Sequence, residues 1–127
     1  MSQNPARHLS EAAEGIRAFN HTSRSVGDDW EFPGHAYDAI GNLSYLVGML
    51  GQAVEQSTVP VTHAYKGGHI LVDGGGSANA KVAEMRTARE EAVAAAAALT
   101  AAVQRMHNAV SPMGMDTTGM EFEDDDQ

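Results

Sequence analysis

A chain of 127 residues with a net charge of −9 and no cysteine is bounded to one domain, and it holds neither disulfides nor thiolate metal sites. Aromatic residues make up only 6% and much of the 43% apolar content is alanine, which buries little area, so a thin core that gains stability from a partner chain is expected. Six of the negative charges fall in 116–127, leaving −3 on residues 1–115, which argues against direct nucleic-acid binding through a broad basic surface; no apolar run approaches the ~20 residues of a membrane span.

Asn4-Pro5 reads as a helix start, and Leu9, Ala12, Ile16 and Phe19 then recur at helical spacing, so a first helix is predicted over about 5–20. The first fifteen residues, "MSQNPARHLSEAAEG", hold no signal-peptide apolar region, which makes a cytoplasmic location the expectation. A polar loop follows. Trp30 and Phe32 are expected to fold over the start of a second helix, 33–57, which carries an apolar stripe of Ala36, Ile40, Leu43, Val47, Leu50 and Val54 and ends before Pro60. Residues 58–76 are open between a short β-ribbon around Lys66-Gly67-Gly68, one helical turn and a loop.

Ser77 is a good N-cap for a third helix, 77–111. Ala78, Val82, Met85, Arg89, Ala92, Ala96, Leu99, Val103, Met106 and Val110 alternate by four and three, as in a coiled coil, over about 50 Å. Eight of the eleven residues from Ala92 to Ala102 are alanine, and Ser111-Pro112 closes the helix. Residues 113–127 are predicted to be a disordered acidic tail. The fold expected is an all-α three-helix bundle. Its second and third helices form an antiparallel hairpin against which the shorter first helix packs.

The second helix tolerates glycines that cost a helix interior about 1 kcal/mol each. Gly34, Gly41 and Gly48 repeat every seven residues opposite the apolar stripe, with Ser44 and Gly51 beside them. This bare strip is expected to let another backbone approach closely, from either the first helix or a second subunit. A homodimer along the strip or along the third helix follows.

Little else carries chemistry. Six histidines show no HxxxH or HExxH pair, and surface placement accounts for them better than a metal site does. "DGGGSANAK" lacks the Walker pattern and reads as a hinge plus N-cap. No catalytic constellation is present, so neither an enzyme nor a cofactor is predicted. Arg89, alone in the apolar seam, either snorkels or pairs with Glu55 or Asp38 as a register key. In the tail, Met120 and Phe122 interleave with Glu123, Asp124, Asp125 and Asp126, a mixture able to dock on a basic protein.

At "IRAFNH", "WEFPGHAYDAIGNLSYL", "QAVEQ" and "VDGGGSANAKVAE" the chain resembles a group of small actinobacterial helical proteins associated with plasmid and mobile-element regions. The likeness spans about residues 12–112. It implies an all-helical fold and no established activity, and it carries over no ligand or catalytic residue. The expected function is a non-enzymatic interaction or assembly protein that associates with itself. The alternative is a regulator whose acidic tail competes for the basic nucleic-acid-binding site of a partner protein.

Overall fold

The computed structural model describes residues 4–120, and every structured element among them is helical apart from one isolated bridge between Gly27 and Trp30. The helices are α1 (Ala6–Thr22), α2 (Pro33–Gly48), α3 (Leu50–Ser57), α4 (Val59–Lys66) and α5 (Ala78–Val110). The contacts divide the chain into two units, Met1–Ala36 with Gly114–Gln127, and Tyr37–Met113.

In the first unit, Asn4 starts α1 as its sequence suggests. Its side-chain oxygen accepts from the Ala6 N–H at 3.0 Å and its carbonyl from the Arg7 N–H at 3.1 Å. The helix runs two residues past the predicted end at Asn20, closing where the Ser23 N–H reaches the Phe19 carbonyl. Its turns carry exposed ion pairs, Arg7–Glu11 and Arg17–Glu14, of the kind that contributes little.

Trp30 packs on the C-terminal end of α1, not on the start of α2. Its ring meets Phe19 edge-on at 5.6 Å, and its indole N–H donates to the Ser23 carbonyl at 3.0 Å. A tight turn aims it there: Gly27 and Trp30 exchange backbone hydrogen bonds, and Asp29 takes a left-handed φ of 58°. The start of α2 is closed by His35, whose Nδ1 accepts from the N–H groups of Glu31 (2.9 Å) and Phe32 (3.1 Å).

The second unit is the predicted antiparallel hairpin, with α5 as one arm. The other arm departs from expectation twice. The helix placed at 33–57 is interrupted at Met49, where the Met49 N–H bonds back three residues to Leu46 instead of four. Gly48 and Gly51 flank this step, and their low helix propensity favours a break there. Helicity also resumes after Thr58, so α4 occupies what the sequence left open between ribbon, turn and loop. Pro60 lies in its first turn, where a missing N–H costs nothing.

The far end of α4 is closed by backbone alone. The Gly68 N–H bonds to the Tyr65 carbonyl and the His69 N–H to the Ala64 carbonyl, at 3.0 and 2.9 Å, around Gly68 at φ +72°. These bonds form a Schellman motif. Replacing Gly68 with alanine is expected to destabilise the protein by about 1 kcal/mol, read as a lower urea midpoint, because an L side chain strains that conformation.

Antiparallel pairing is fixed by contacts whose numbers rise on one arm as they fall on the other. Tyr37 meets His107, Ser44 meets Gln104, Val47 meets Thr100, Thr58 meets Arg89, and Tyr65 meets Asn79. Arg86 lies over the Tyr65 ring, 5.4 Å from its centroid. Among the described residues only Val47, Val82 and Val103 are buried, at 3–4% exposure, so the core is as thin as the composition implies.

Candidate interaction surface

The side of α5 that turns inward differs from the predicted seam. One of its two rows is as expected: Val82, Arg89, Ala96, Val103 and Val110, spaced by seven, are buried or half-buried. The second inward row is Arg86, Val93, Thr100 and His107. The row predicted in its place is more exposed along most of its length. Ala92 lies open, Leu99 is 46% exposed and Met106 49%. Both rows repeat every seven residues, and hydrophobicity alone favours the more apolar one. The actual choice follows from polar partners on the opposite arm.

Thr100 is the clearest of these. Its hydroxyl lies 3.1 Å from the Val47 carbonyl and 2.8 Å from the Ala96 carbonyl of its own helix. The Val47 carbonyl faces it at the step between α2 and α3, so a break in one helix is tied to a threonine on the next. His107 stacks on Tyr37 with centroids 4.4 Å apart and planes 19° from parallel.

The glycine strip divides. A Cβ built on Gly41 would lie 3.2 Å from His107 Nε2, so Gly41 is a point of close approach. What approaches it is an α5 side chain. Ser44 likewise turns to α5, with Oγ 3.0 Å from Gln104 Oε1. Within the hairpin, then, these two positions meet α5. At Gly34, Gly48 and Gly51 an added Cβ would meet nothing within 4 Å.

Arg89 donates to Thr58 Oγ1 at 2.8 Å, and that hydroxyl in turn lies 2.9 Å from the Glu55 carbonyl. Its partner is thus a hydroxyl on the opposite arm. Neither Glu55 nor Asp38 forms an ion pair with it among the described residues. An open groove of about 530 Å³ runs beside this link, bordered by Glu55, Arg89, Glu90 and Val93. Among the described residues no three His, Asp or Glu side chains come together as a metal site would require.

The face of α5 turned away from the opposite arm is unusually plain. Ala95, Ala98 and Ala101 are exposed there, with Glu91 and Arg105 seven residues to either side of Ala98. Both charged groups are exposed, and neither has an ion-pair partner among the described residues.

Beyond α5, the Asp116 carboxylate accepts from the Thr118 N–H at 2.9 Å, which holds it below the usual carboxylate range. Of the predicted tail-docking residues Met120 is exposed, whereas Phe122, Glu123, Asp124, Asp125 and Asp126 lie outside the described residues. No family model matches the chain, and neither a curated protein nor a solved structure matches it.

Proposed function

We propose that this protein is a non-enzymatic helical interaction module that works as a self-associated assembly, a homodimer in the simplest case. The observation that carries this reading is the imbalance of the hairpin. It buries three valines, while Leu43, Met49, Leu99 and Met106 stay exposed among largely uncharged neighbours. Apolar surface of that kind is stabilised when a second chain covers it, and folding then becomes concentration-dependent. The resemblance to proteins of plasmid and mobile-element regions extends the reading to an accessory or assembly factor acting in the cytoplasm.

Light scattering of the full chain tests it. A dimer of the 13.4 kDa chain that dissociates on dilution is expected. A monomer at every concentration up to about 100 µM, an affinity range weaker than a functional dimer needs, overturns the reading.

A further inference from the structure

The plain face of α5 carries a self-complementary charge pattern. Glu91, Ala98 and Arg105 are spaced by seven and so lie along one side of the helix, the acid and the base each about 10 Å from Ala98 at 1.5 Å per residue. Between them the exposed surface is alanine, bordered by Leu99. Such a surface lets two helices approach to the short end of the usual 8–10 Å range.

We propose that α5 pairs with α5 of a second copy of this chain, antiparallel about a two-fold axis at Ala98, with Glu91 facing Arg105 of the second copy. This rests on the self-association reading above and names its surface. An isologous two-fold contact requires each residue to find its complement on the same patch of the other copy, and a centre flanked by one acid and one base at equal distances meets that requirement. Both charged pairs then form at once. A parallel arrangement sets Glu91 against Glu91 and Arg105 against Arg105, so the charges select orientation as well as partner. The same contact covers Leu99 in both copies.

Charge reversal in the full chain tests the pairing at low ionic strength. Glu91→Arg puts two bases opposite each other at both ends of the interface, and Arg105→Glu puts two acids there. Each variant alone is expected to dissociate about tenfold more readily than the unaltered chain, in keeping with two weak surface pairs changing sign together. Mixed in equal amounts, the two variants are expected to form a heterodimer, since every contact between them is again attractive.

Ala98→Cys supplies an independent readout, because the chain contains no other cysteine. Mild oxidation is expected to link two copies, as only a residue near the axis comes within the ~7 Å Cα separation that a disulfide spans. Ala88→Cys, about 30 Å from its counterpart in this arrangement, is expected to stay unlinked. If the unaltered chain is a dimer but both charge variants dimerise as well as it does, the α5 pairing is wrong and self-association stands. If the unaltered chain is a monomer, both fall.

Discussion

Val103→Ala is expected to lower stability by about 2 kcal/mol, read as a reduced urea midpoint and a melting temperature lower by roughly 10 °C. Val103 is 4% exposed and is one of three buried side chains among the described residues. Removing its two methyl groups from a packed site loses their transfer energy and leaves a small cavity. With so few buried residues, each carries an outsized share of a total that is typically 5–15 kcal/mol. Leu99→Ala is the informative contrast. It truncates a larger side chain that is 46% exposed in the single chain. Its effect on the monomer is expected to stay within about 0.5 kcal/mol, as for surface positions in general. Equal losses at the two positions would show that the core does not lie where the structure puts it.

The second large effect is a reversal of sign along the glycine strip. Gly41→Leu is expected to destabilise by roughly 1–2 kcal/mol. The new side chain begins 3.2 Å from His107 Nε2 and displaces the imidazole from its stack on Tyr37. Overpacking costs about 1–3 kcal/mol, and the loss exceeds the ~0.8 kcal/mol gained in helix propensity. Gly48→Leu meets open space within the chain and is expected to stabilise it by about that same ~0.8 kcal/mol. Its association state separates the two surfaces first suggested for the dimer. Pairing through the back of α5 leaves Gly48→Leu a dimer, whereas a close contact along the glycine strip does not survive the added side chain. Denaturation curves and molar masses of the two variants decide both points.

The sequence made the large features legible and the choices between similar rows illegible. Helical periodicity located α1 and α5 to within one or two residues. Ser77 marked the start of α5 correctly, accepting from the Ala80 N–H at 3.2 Å. Periodicity could not say which of two rows spaced by seven faces the other arm. Hydrophobicity favours Leu99 and Met106, but Thr100 and His107 face inward because a free carbonyl at Val47, a bare helix at Gly41 and the ring of Tyr37 await them. Those partners are more than fifty residues away in the chain. The helix across Val59–Lys66 was hidden for a different reason. Pro60 marks the end of one helix and the first turn of another equally well, and what tells them apart is the seating of the new helix on α5, where Tyr65 meets Asn79 and Arg86. At the candidate surface, the small residues of both arms were evident, yet their roles depended on that same unread rotation of α5.

The step at Met49 has a further result. The backbone ladder lapses there and again at Thr58, whose N–H also reaches back three residues, to Glu55, so the arm is three short rods joined end to end. Tyr37 on His107 and Ser44 beside Gln104 fasten the first to α5, Thr100 and Arg89 hold the two junctions, and Tyr65 against Asn79 fastens the last. An end rod is therefore expected to lift from α5 while its neighbours stay seated, so amide exchange in α2 or α4 is expected to outpace that in α3.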